Sequence, residues 1–68
     1  MNLSPKYLIN TLERNGFVLQ RTKGSHQLFY NAVTGKTAIV PVHGGKDMKK
    51  GTFLAILKQA GIDKNEAG

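Results

Sequence analysis

Residues 17–42 read FVLQRTKGSHQLFYNAVTGKTAIVPV, and this stretch decides the fold. It holds three runs of β-forming residues separated by two short clusters of turn formers. The first run, over 17–22, alternates, with Phe17, Leu19 and Arg21 on one face and Val18, Gln20 and Thr22 on the other. Lys23-Gly24-Ser25 interrupts it as a tight connection, and 26–30 form the second run. Asn31 to Gly35 supply turn residues, with Gly35 the expected position of positive φ. The third run covers 36–42 around Thr37-Ala38-Ile39-Val40. Pro41 has no N–H to donate to a ladder, so it marks an edge or the end of pairing.

On either side the period changes from two to 3.6. Ser4-Pro5 is a helix start, because a serine oxygen caps free N–H groups and proline suits the first helical position. Leu8, Ile9 and Leu12 then give one apolar stripe, and Gly16 is a natural stop, so the spacing predicts a helix over 5–15. After 42 comes a basic loop, His43-Gly44-Gly45-Lys46-Asp47, and a turn over 48–50. A second helix follows, carrying Phe53, Leu54, Ile56, Leu57 and Ala60. Gly61 ends it, with Ile62 folding back as the hydrophobic contact. The polar residues 63–68 read as a frayed tail.

Strands joined by such short loops pair antiparallel, and two amphipathic helices can cover one face of the sheet they form. The expected architecture is an α+β sandwich, helix–three-stranded antiparallel sheet–helix, with the layout of a double-stranded-RNA-binding domain. The opposite sheet face has no element left to cover it, so it must meet solvent, a partner or a ligand.

The 68 residues suffice for one domain, 1–68, with a thin core. There is no cysteine to form disulfides or a zinc finger, a composition that fits a reducing cytoplasm. No apolar run approaches the roughly 18 residues of a membrane span, and no signal-peptide stretch opens the chain. The formal net charge is +6, a strong positive field for so short a chain, which attracts phosphate backbones. An anionic membrane could exploit the same field, but no basic amphipathic helix bears the required aromatic face.

Several apparent motifs fail on physical grounds. Gly35-Lys36-Thr37 resembles the end of a phosphate-binding loop, but Tyr30 stands where that loop needs glycine, and a strand follows instead of a helix. Ser25 and His26 are strand neighbours whose side chains point to opposite sides, which argues against a nucleophile–base pair. His26, His43 and Asp47 have neither the close histidine pair nor the carboxylate cluster of a metal site, so neither metal nor cofactor is expected.

Two features carry chemistry. Lys46, Lys49 and Lys50 precede the last helix, where free N–H groups and the helix dipole favour anions, and Gly44, Gly45 and Gly51 permit close backbone approach. A solvated lysine cluster with glycines that merely turn the chain fits the same composition. His26 is the one group on the expected sheet suited to proton transfer near neutral pH, and Arg21 and Lys23 flank it across the turn. RNA cleavage without metal needs a base for the ribose 2′-OH and an acid for the 5′-oxygen, while basic residues stabilise the charged phosphorane. An ordinary half-exposed strand histidine would look the same, and His43 is either a phosphate donor or a plain loop residue. Phe17, Phe29 and Phe53 read as core. Tyr7 and Tyr30 could stack on bases, although a packed ring with a wet hydroxyl is commoner.

Three segments carry a resemblance: Gly24-Ser25-His26, then 40–47 (VPVHGGKD), then Gly51-Thr52 leading to 56–62 (ILKQAGI). In this order, on these elements, they resemble the HicA family of bacterial toxins over nearly the whole chain. The resemblance implies a double-stranded-RNA-binding-like fold, mRNA cleavage, and a HicB antitoxin that covers the active site. It implies that His26, following the Gly-Ser pair, is the catalytic histidine. Gly24 belongs to the same motif as the shaper of the turn, and His43 and Lys46 match a second motif. The expected RNA-binding set is therefore Arg21, Lys23, Gly24, Ser25, His43, Lys46, Lys49 and Lys50. The expected function is that of a metal-independent endoribonuclease toxin in the cytoplasm. The alternatives are a non-catalytic double-stranded RNA-binding module and an interaction protein docking a partner on its bare sheet face.

Overall fold

Ser4 starts the first helix as its residue type requires. In the computed structural model, which describes residues 2–67, its Oγ accepts from the Tyr7 N–H at 3.1 Å and Pro5 stands at the head of α1, Pro5–Arg14. The stop is equally explicit. Gly16 adopts φ +89°, the Phe17 N–H reaches the Leu12 carbonyl at 3.0 Å, and the Gly16 N–H reaches that of Glu13 at 3.1 Å.

Three strands follow, β1 Val18–Lys23, β2 His26–Tyr30 and β3 Thr37–Pro41, in spatial order β1-β2-β3 with both pairings antiparallel. Lys23 pairs with His26, leaving Gly24-Ser25 as a two-residue hairpin loop. Gly24 has φ +59° and, among the described residues, no non-glycine residue has positive φ, the sign pattern of a type II′ turn, whose twist matches that of the strands it joins.

β1 departs from simple alternation. Leu19 pairs with Phe29 and Arg21 with Leu28, so Gln20 is an extra residue, a β-bulge. Strict alternation put Leu19 and Arg21 on one face; the bulge separates them. Leu19 stays on the side of Phe29 and the helices, while Arg21 and Lys23 join Leu28 and His26 on the other. The physical reason is that one inserted residue inverts the facing of every residue beyond it.

α2, Lys50–Ala60, ends with the Ile62 N–H on the Leu57 carbonyl at 2.9 Å and the Gly61 N–H on that of Lys58 at 3.1 Å. Both helices lie on the sheet face that presents Phe29, Ala38 and Val40. Leu8 and Leu12 from α1, and Phe53, Ile56, Leu57 and Ala60 from α2, complete the core with Phe17, Met48 and Ile62. The Tyr7 and Phe53 rings stack with centroids 6.5 Å apart. With a shortest dimension of 16 Å, the molecule is one helix layer on one sheet. The helical cover reaches β2 and β3 but not β1, all six of whose residues are exposed. Even Leu19, on the covered side, is 45% exposed.

Asn31 does more than turn the chain. It is 4% exposed, and its Nδ2 donates to the Asn15 carbonyl at 2.9 Å, tying the β2–β3 connection to the end of α1. Its Oδ1 accepts from the N–H groups of Val33 and Thr34, at 2.9 and 3.3 Å. Asn31→Ala leaves a part-buried carbonyl and two turn N–H groups without these partners. The expected cost is about 1–3 kcal/mol of stability, read as a lower urea midpoint at unchanged slope.

Within the tail expected to fray, Lys64–Ala67 forms one helical turn, α3, preceded by an Asp63 carboxylate that accepts from the Asn65 N–H at 2.8 Å. Among the described residues no helix is long and apolar enough to cross a membrane.

Candidate functional site

The uncovered sheet face is organised around His26. In β2 the residues His26, Leu28 and Tyr30 share that face. Across the ladder, Lys23 and Pro41 stand opposite His26, and Arg21 and Ile39 opposite Leu28. Arg21, Lys23, Gly24, Ser25, His26, Leu28 and Ile39 line one concavity. Its floor is apolar and its rim basic. Two cations thus stand beside an exposed histidine because of the Gln20 bulge, which turns Arg21 and Lys23 to this side.

His43 was read from sequence as belonging to a separate loop, but the structure brings it to the same place. Its ring lies 6.5 Å from that of His26, centroid to centroid, at an interplanar angle of 82°. The cause is register. His26 faces Pro41, and the Val42 N–H donates to the Ser25 carbonyl at 2.7 Å, extending the β2–β3 ladder by one rung. His43, two residues past Pro41, therefore emerges on the side of His26 as its diagonal neighbour.

His43 also lines a second concavity with Pro41, Lys46, Asp47, Met48, Lys49 and Thr52. Of the three lysines singled out in the sequence, Lys46 and Lys49 converge here, whereas Lys50, the first residue of α2, does not line it. The carboxylate of Asp47 stands among these cations. Lys49 caps α2 without a side-chain hydrogen bond, and the first turn holds no acidic residue, so the helix dipole is uncompensated at that end. A Cβ added at Gly44, Gly45 or Gly51 would meet nothing within 4 Å, so these glycines are not required by internal packing.

Sequence reasoning missed the nearness of the two histidines, the place of Asp47 among the lysines, and Met48, which closes the core behind the second concavity at 8% exposure. No local signal in the sequence pointed to the first, because it depends on the register of β2 against β3. Among the described residues no three of histidine, aspartate or glutamate converge as metal ligands.

The helix–sheet–helix order, the single covered face and the basic open face define an α+β domain of the double-stranded-RNA-binding-like class. The family description "HicA toxin of bacterial toxin-antitoxin" matches residues 6–62. The chain is also 39% identical over 51 residues to the "Probable mRNA interferase HicA" of Pseudomonas fluorescens (strain Pf0-1), covering 75% of this chain and 82% of that relative. The chain belongs to the HicA toxin family, and is a toxin of a bacterial toxin–antitoxin system.

Proposed function

We propose that the chain is an endoribonuclease that cleaves mRNA without a metal ion, with His26 as its central proton-transfer group. The observation that carries this reading is an exposed histidine on the open face of a HicA-family sheet, with Arg21 and Lys23 on the same side. The relative from Pseudomonas fluorescens bears the name mRNA interferase, which supports the substrate class. In the reaction the ribose 2′-oxygen attacks the adjacent phosphorus as its proton is removed. The bond to the 5′-oxygen then breaks as that oxygen gains a proton. His26 serves one of these transfers, and the guanidinium of Arg21 and ammonium of Lys23 stabilise the charge that grows on the phosphoryl oxygens. The products are a 2′,3′-cyclic phosphate and a 5′-hydroxyl.

The test is cleavage of RNA by the purified chain with and without EDTA, followed by end-group analysis. Cyclic phosphate and 5′-hydroxyl ends that survive EDTA are expected. Loss of cleavage on chelation overturns the metal-free chemistry, and RNA binding without cleavage returns the non-catalytic module.

The lysines of the second concavity bind the RNA backbone in this reading. Changing Lys46 and Lys49 together to alanine should weaken binding across sequences and reduce the slope of log K against log salt by about 1.4. Each lost phosphate contact on a single strand accounts for about 0.7. Lys50→Ala alone should change the slope far less, which filter-binding titrations across salt concentrations would show.

The open face also suits an antitoxin of the HicB type. Val18, Tyr30 and Ile39 are 68, 36 and 46% exposed on it, an apolar surface with a basic rim that an acidic partner would cover along with His26. The partner is expected to block cleavage and to protect His26 from diethyl pyrocarbonate. A complex that leaves His26 reactive places the interface elsewhere.

A further inference from the structure

We propose that His43 is the second proton-transfer group of the cleavage reaction, so that the scissile phosphate sits between His26 and His43. The proposal rests on the nuclease reading above and goes beyond it by assigning the group that completes the acid–base pair.

Cleavage moves two protons on opposite sides of phosphorus, because the entering 2′-oxygen and the leaving 5′-oxygen occupy opposed positions. One imidazole in place serves one side. The 6.5 Å between ring centres keeps the two histidines beyond hydrogen-bond distance of each other. It leaves room for a phosphoryl group whose two apical oxygens each meet one ring at a reach of about 3 Å. Both rings are exposed, and each opens onto a basic concavity, His26 with Arg21 and Lys23, His43 with Lys46 and Lys49. A single strand of RNA crossing from one concavity to the other passes over both histidines.

The arrangement is built into the sheet. The His26–Pro41 pairing and the Val42-to-Ser25 hydrogen bond place the two residues side by side through the backbone. The balance of the step is complete within the pair. One imidazole accepts the 2′-proton as the oxygen–phosphorus bond forms, and the other, as imidazolium, gives its proton to the departing 5′-oxygen. The pair ends with its total proton count unchanged and its two roles exchanged, ready to be reset by water.

The experiment compares single-turnover cleavage of two oligonucleotides that share a site cut by the wild-type chain. One is ordinary RNA, and the other carries sulfur in place of the scissile 5′-oxygen, a leaving group that departs without a proton. On ordinary RNA, His43→Ala and His43→Gln should both be slowed by about 10²–10⁴, the usual contribution of one acid or base, with RNA affinity near wild type. On the sulfur substrate the variant lacking the acid regains a rate near wild type and the variant lacking the base does not. Rescue of one of His26→Ala and His43→Ala, and not of the other, is therefore expected. A His43→Ala rate within a few-fold of wild type on ordinary RNA overturns the pair, as does rescue of both variants or of neither. So does a defect confined to affinity, which would make His43 a binding residue only. A wild-type chain that cuts no RNA overturns the nuclease reading and the pair with it. A wild type that cuts while His43→Ala cuts equally well overturns the pair alone.

Discussion

His26→Ala is expected to reduce RNA cleavage by at least about 10²–10⁴ and to relieve growth inhibition, while the chain folds and binds RNA nearly as before. The side chain is exposed at the start of β2 and takes no part in the apolar core, so its removal opens no cavity of the kind that makes core truncations costly. The phosphate-binding cations remain in place, because Arg21 and Lys23 are held by their own strand and Lys46 and Lys49 by the loop before α2. His26→Gln is the sharper variant, since it keeps a hydrogen-bonding side chain of similar reach and removes only the imidazole that would transfer a proton. Single-turnover rates, urea melts and filter binding on the same preparations separate the three effects. Two folded variants that still cut would remove His26 from the chemistry. A variant that fails to fold would make this histidine structural.

A different kind of loss is expected from Phe29→Ala. Phe29 is 1% exposed, the fourth of the five residues of the middle strand, on the sheet face that the helices cover, and among the largest fully buried side chains. Replacing a buried phenylalanine by alanine costs about 3–5 kcal/mol, as lost burial and as an unfilled cavity. At about 0.05–0.15 kcal/mol per residue, a chain of this length has roughly 3–10 kcal/mol in all. Phe29→Ala should therefore leave the chain largely unfolded at 37 °C, seen as lost circular dichroism and a collapsed urea midpoint. A melting temperature within a few degrees of wild type would show that the core closes over the gap and that Phe29 is not its keystone.

The contrast between these residues explains what the sequence made legible. Helix ends follow from neighbouring residues, and Ser4-Pro5, Gly16 and Gly61 mark them where the structure has them. The second strand, 26–30, lies between two turn clusters and was bounded to the residue. The Gln20 bulge was invisible because alternation assumes a period of two, and only pairing with β2 reveals the extra residue. Asn31 looked like any turn asparagine, since its tie to Asn15 spans sixteen positions. The approach of His43 to His26 depends on the register of β2 against β3, which no local pattern encodes. Lys50 was grouped with Lys46 and Lys49 by adjacency, but the start of α2 takes it away from the concavity the other two share. What separates the two sets is range. Features fixed within a few residues were readable, and features fixed by strand pairing were not.

The two outer strands also bear on how such a chain stays dispersed before it meets a partner. A three-stranded open sheet has two edges whose free N–H and C=O groups are templates for stacking copies into fibrils. Here β1 is interrupted by the Gln20 bulge and carries Arg21 and Lys23 beyond it, so a second copy laid alongside would meet a kinked ladder and like charge. On the other edge β3 closes with Pro41, which offers no donor to an incoming strand. The bulge that turns two cations toward the histidines thus also guards the edge of the sheet against self-assembly, joining colloidal stability to the placement of charge at the site.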